Sequence, residues 1–167
     1  MWRALLAASL LAGCSTMDRV GQTVGLSDGR PPAPDTALEA ILKAAPIACP
    51  NGRTLNGANH EAFGPQHGVV GTDIALTPLA SDPTRAVRMR RLVVEPGGVI
   101  AWHTHDQVQG NALVVSGEMT EIRNSCMDPI RYRAGDVAME DAQTAHGWRN
   151  DGSVEAVIIT AHVVARN

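Results

Sequence analysis

The sequence predicts an all-β domain, an antiparallel sandwich or barrel, and three observations lead there. From Val69 onward, apolar runs of strand length recur between turn signals, and none has helical periodicity. Sixteen glycines and ten prolines supply turns at a density that a helical bundle does not need. With 44% hydrophobic but only 3% aromatic residues, the 167-residue chain must build one core from Val, Leu, Ile and Ala. The net charge of −3, with no basic cluster beyond Arg88, Arg90 and Arg91, argues against a nucleic-acid partner. The scarcity of stacking aromatics argues the same way.

Taken in order, the chain opens with one positive charge at Arg3 and an apolar run from Ala4 to Gly13. That run is too short to cross a hydrocarbon core of ~30 Å and reads as the apolar region of a secretory signal. Leu11-Ala12-Gly13-Cys14 resembles a bacterial lipobox; the alternative is an ordinary signal peptide cut at a small residue. The resemblance implies removal of residues 1–13, lipidation of Cys14 and attachment to a membrane through the N-terminal lipid. Ser15, where Asp would retain such a protein at the inner membrane, implies an outer-membrane protein facing the periplasm.

Residues 14–34 mix Gly, Ser, Asp and Pro without period and read as the lipidated N-terminus and a flexible tether. Residues 35–68 read as a lead-in of short helix and loop. Asp35 or Thr36 caps TALEAILKAA, Pro46 ends it, and a Gly/Asn/Pro-rich loop follows. Residues 69–167 then carry the strands: VVGTDIAL; AVRMRRLVV up to the turn Glu95-Pro96-Gly97-Gly98; VIAWHTH; NALVVSGEMTEIR; IRYRAGDVAM; a run around His146; and VEAVIITAHVVA. With Cys14 lipidated, Cys49 and Cys126 remain as an even pair in an oxidising compartment. A disulfide and two buried free thiols both fit that count.

Six histidines divide into two groups. His60, His67 and His162 stand singly and read as surface or satisfied structural residues. His103 and His105 lie two apart in a strand, so both imidazoles share a face and form a clamp for a divalent transition metal. His146, in a separate strand, completes a three-histidine site if the two strands are neighbours.

Gly97-x5-His103-x-His105 with Gly117 resembles the first cupin motif, and Gly135, His146 and Asn150 resemble the second. The resemblance spans about residues 85–164 and implies a double-stranded β-helix, or jelly-roll, barrel with metal inside. The first motif usually supplies a glutamate ligand four or five residues after its second histidine. Gln109 and Gly110 stand there instead, so Gln109 is a fourth ligand only through a bulge, and the expected site has no carboxylate. Asp141 and Gln143 replace the Pro and Gly of the second motif. Cys126 and Glu140 fall on positions that recur in a group of small bacterial cupins without an assigned reaction.

Around the histidines, Trp148 is two residues from His146 and reads as a pocket wall, while Trp102 points the other way. Glu140 is the best candidate general base, ahead of Glu118 and Glu121. The three arginines read mainly as a solvated strand face, and Met89, Met119, Met127 and Met139 as core filler. The functional expectation is an envelope-anchored protein holding a divalent metal (Fe, Zn, Mn, Ni or Cu) that binds or transforms a small organic, anionic ligand. As an enzyme it would be of the dioxygenase or isomerase type. The alternatives are a non-catalytic ligand-binding or sensing module and a structural lipoprotein; a homodimer is compatible with all three.

Overall fold

The computed structural model describes residues 48–166, so the signal segment, the tether and the helix expected within 1–47 lie outside the described residues. One 3-10 turn, Pro50–Gly52, precedes eight strands. These are β1 (His67–Pro78), β2 (Arg85–Thr104), β3 (Gln109–Ser116), β4 (Glu118–Arg123), β5 (Ile130–Arg133), β6 (Val137–Glu140), β7 (Ala145–Arg149) and β8 (Ala156–Ala165). All pairings are antiparallel, in the order β5-β4-β7-β2-β8-β3-β6, with β1 on the other edge of β2. The all-β expectation holds, and the sheet curls into a nearly closed jelly-roll barrel.

Strand β2 departs from expectation. Two strands separated by a turn at Glu95–Gly98 were expected; the chain instead runs through as one bent strand of 20 residues. Its first half, up to Val94, pairs with β1 and β8, and its second half, from Val99, pairs with β7. Gly97, at φ 78°, takes the left-handed conformation the bend requires. A Cβ on Gly98 would lie 2.7 Å from the Gly68 carbonyl oxygen, so the crossing also needs a bare backbone. Asn150 fastens the corner: its Nδ2 donates to the Val94 and Val154 carbonyls (2.9 and 2.8 Å). The residue is fully buried, so those donors have no substitute in water.

A second irregularity sets the site. Ile100 pairs with Trp148 and His103 with His146, three steps along β2 against two along β7. This one-residue bulge resets the alternation, so Ile100 and His103 share the inner side although their numbers differ by three.

Inside the barrel, apolar and polar residues separate by height. On β8 the buried residues are Ala156, Ile158, Thr160 and His162 in that order. The apolar end packs Val94, Val114, Met119, Ile130, Tyr132 and Trp148 into the core. The Tyr132 and Trp148 rings lie 4.8 Å apart, a tilted contact contributing about 0.5–1.5 kcal/mol beyond burial. Only Met119 of the four methionines fills this core; strand alternation turns Met89 and Met139 outward, and Met127 is exposed in the β4–β5 connection.

Cys49 and Cys126 form a disulfide, with Cα atoms 5.3 Å apart. It fastens the segment just before the Pro50–Gly52 turn to the β4–β5 connection, alongside backbone bonds from Leu55 to Ser125 and from Met127 to Arg53. The bridge closes a separation of 77 residues, for which chain entropy gives about 4–5 kcal/mol before native-state strain. The Cys49→Ser/Cys126→Ser protein is therefore expected to lose about 2–5 kcal/mol in urea unfolding. Its midpoint should match that of the reduced wild type; equal stability with and without reductant would contradict the assignment.

Candidate metal centre

The bulge and the β2–β7 pairing bring the three predicted histidines together. His103 stands directly opposite His146 in the register, and the backbone N–H of His105 donates to the Thr144 carbonyl beside β7. The ring centroids form a nearly equilateral triangle of 5.0, 4.7 and 4.8 Å. At its centre, His146 Nε2 is 2.9 Å from His105 Nε2 and 3.2 Å from His103 Nε2.

The opposite ring nitrogens explain this orientation. His103 Nδ1 lies 2.8 Å from the Ala101 carbonyl oxygen and His105 Nδ1 lies 2.7 Å from that of Val108. His146 Nδ1 lies 2.5 Å from Glu121 Oε1. Each Nδ1 faces an acceptor, so each carries the proton and each Nε2 presents a lone pair to the common centre. Burial lowers the pKa of His103, aided by the nearby His146, and pushes that of His105 down to about 4, so neutral rings are what the interior favours.

Glu121 is not a free base. It is fully buried, with Oε1 accepting from His146 and from Arg123 Nε (3.0 Å), and Oε2 accepting from the Tyr132 hydroxyl (2.8 Å). Burial raises the pKa of Tyr132, and the Glu121 charge reinforces this, keeping the phenol a donor. Glu121 thus orients His146, a role that sequence reasoning missed because it depends on β4–β7 pairing. Glu118 lies at the start of β4 and does not border the cavity.

Glu140 does reach the centre. It is buried, with Oε1 3.5 Å from His146 Nε2 and 4.0 Å from His105 Nε2. Its Oε2 accepts from His162 Nε2 at 2.5 Å. Burial alone would raise its pKa, but the His162 hydrogen bond and the surrounding imidazoles outweigh that and lower it. The three histidines form a group without a carboxylate, as expected, with Glu140 beside it; the reading of His162 as a residue with nothing nearby to complete a site is corrected. His105, Glu140 and His162 form a second cluster with metal-binding spacing, sharing His105 with the first.

The reason lies at Gly110, which pairs with Glu140 on β6 and with His162 on β8. A Cβ there would sit 1.9 Å from the Ala161 carbonyl oxygen and 2.7 Å from the His162 ring. The place where a side chain of β3 would enter is taken by β8. Gln109 turns its Nε2 to the carbonyls of His105 and Asp106 (3.0 and 2.8 Å) and does not border the cavity beside the histidines. Asp141 makes the β6–β7 turn by accepting from the Gln143 N–H and the Thr144 hydroxyl, both at 3.0 Å.

His103 and His105 open onto a cavity of about 550 Å³, with His162 also in its lining. Trp148 lines it as expected, its Nε1 3.4 Å from His146 Nε2. Trp102 borders it too, against expectation, because the bulge disturbs strict alternation. Arg88 and Arg90 also border the cavity, whereas Arg91 is exposed, so the solvated-face reading holds only for Arg91.

Residues 90–162 match the family model of the cupin domain. Over that segment, which is less than half of the chain, the barrel is similar to a cupin domain. Among solved structures, KdgF from Halomonas sp. aligns at 19% identity and a TM-score of 0.50, over 65% of this chain and 89% of that one. The cupin domain of Schizosaccharomyces pombe Cnp3 aligns at 11% identity and 0.47, over 59% of this chain and 66% of that one. Oxalate oxidase in complex with the substrate analogue glycolate aligns at 22% and 0.47, over 63% and 54%. No curated protein matches the sequence significantly.

Because burial pushes His105 down to about 4 in the folded domain from near 6.5 when exposed, the metal-free fold binds fewer protons than the unfolded chain between those values. Its stability is expected to be full above pH 6.5 and to fall as pH drops towards 4. Urea midpoints across that range check this; a flat profile in the metal-free protein would contradict it.

Proposed function

We propose that this cupin holds one divalent transition metal on His103, His105 and His146, with Glu140 as a carboxylate donor, and binds a small organic anion beside it. One observation carries the reading. Three Nε2 lone pairs are turned towards one another in a buried space, each fixed by an Nδ1 proton committed elsewhere. Facing acceptors repel, and one cation among them turns that repulsion into coordination. Imidazole with one carboxylate suits Fe, Zn, Mn, Ni or Cu.

Such a metal would supply Lewis acidity to a bound oxyanion. The chain's own part is separate: Glu121 keeps His146 in the coordinating tautomer, and His162 holds Glu140 in place. The wild type is expected to bind one metal equivalent, measured by elemental analysis and competition with a chelating dye. His103→Ala and His146→Ala should abolish stoichiometric uptake with the circular dichroism spectrum unchanged. Glu121→Gln should weaken affinity about 10–100-fold. Full uptake by His146→Ala would overturn the site.

We propose further that the domain is carried on the cell envelope by a lipidated Cys14, facing the periplasm. The Cys49–Cys126 disulfide supports an oxidising compartment, and the lipobox-like Leu11-Ala12-Gly13-Cys14 supports the anchor. The protein is expected in the membrane fraction with an acylated N-terminal Cys14, shifting to the soluble fraction or remaining uncleaved in Cys14→Ala. A mature N-terminus at any other residue, by mass spectrometry, would exclude it.

A further inference from the structure

The cavity beside the histidines contains polar atoms that the metal reading does not use. Among the described residues, four buried side-chain polar atoms lack a hydrogen-bond partner, and three of them belong to residues lining this cavity: Arg88 Nε, Thr160 Oγ1 and His162 Nδ1. Thr160 and His162 are only 6% and 7% exposed, so water offers them little compensation. Arg88 Nε is 3.9 Å from Asp73 Oδ1, beyond hydrogen-bonding range, while Arg90 Nε takes that oxygen at 2.6 Å.

The three form one patch. Arg88 stands opposite His162 and Arg90 opposite Thr160 across the β2–β8 ladder. Side chains so paired lie close on the same face of the sheet. The patch adjoins the metal centre through His162, whose other nitrogen bonds to Glu140.

The donor inventory specifies the complement. Arg88 Nε–H can only donate, so it needs an acceptor, and its positive charge favours an anionic one. His162 Nε2–H donates to the Glu140 carboxylate, which leaves Nδ1 as a lone pair that needs a donor. The Thr160 hydroxyl serves either. Leu92, Ile100, Val108, Ala112 and Ile158 supply apolar walls, which suit a carbon skeleton and not a bare inorganic ion.

We infer that the cavity binds a hydroxy acid, its carboxylate on Arg88 and Thr160 and its hydroxyl donating to His162 Nδ1. An ammonium group donating to His162 would bring its charge against Arg88, directly opposite on the β2–β8 ladder, whereas a hydroxyl would not. The inference rests on the proposed function only in taking the histidine-lined cavity as the ligand site; its own donors and acceptors come from β2 and β8.

The test is calorimetric titration of the full chain, metal-free and zinc-loaded, with 2-hydroxybutyrate, 2-aminobutyrate, butyrate and inorganic phosphate. The hydroxy acid is expected to bind at least tenfold more tightly than each of the others. Arg88→Met should cost at least tenfold, and Thr160→Val severalfold, with metal stoichiometry unchanged. Equal affinity for butyrate and 2-hydroxybutyrate, a preference for phosphate or the amino acid, or undiminished binding by Arg88→Met would overturn the inference. Failure of zinc uptake would refute the metal reading alone, because hydroxy-acid binding by the metal-free protein still tests Arg88, Thr160 and His162.

Discussion

Lone-pair repulsion among three imidazoles is the constraint around which this barrel is arranged. Neutral rings whose Nε2 atoms approach within 2.9 and 3.2 Å have no proton to share among all three, because each Nδ1 holds the only one. The fold must therefore hold the rings against their mutual repulsion. It does so with two backbone carbonyls, one buried carboxylate and the β2–β7 ladder. Glu121 in turn would be an isolated buried charge without Arg123 and Tyr132. The arrangement extends inward from the metal centre to the Tyr132–Trp148 contact in the apolar core, so site and core share residues.

Much of this was legible in the chain itself. The spacing of Gly97, His103, His105, Gly117, Gly135, His146 and Asn150 gave the barrel type and the histidine triad, and Gly97, Gly117 and Gly135 all take positive φ (78°, 73° and 96°). The turn at Glu95–Gly98 was legible as a break in hydrophobicity but not as a bend within one strand, since continuity depends on pairing with β7 and β8. What the sequence concealed was register. Counting along a strand places Trp102 away from the histidines, and only the bulge between Ile100 and His103 alters that count.

Register also hid the roles of His162, Arg88 and Glu121. A histidine alone in the last strand has no sequence neighbour to betray it, and an arginine-rich run looks solvated. Only the β2–β8 ladder shows Arg88 and His162 to be partners across the barrel wall. The separation of polar and apolar residues by height follows the same logic, since no single strand displays it as clearly as the assembled layers do.

The empty place at Gly110 has a consequence for how proteins of this shape are compared. Ligand sets are usually tabulated by position along the chain, and on that basis this barrel lacks an acid. Hydrogen-bonded ladders, however, make adjacent strands interchangeable hosts for a functional group, provided the former host yields its volume. A carboxylate carried on β6 in place of β3 stands beside the same histidines, yet a count along the chain does not find it. Inventories of such barrels are better drawn ring by ring around the wall than residue by residue along the thread.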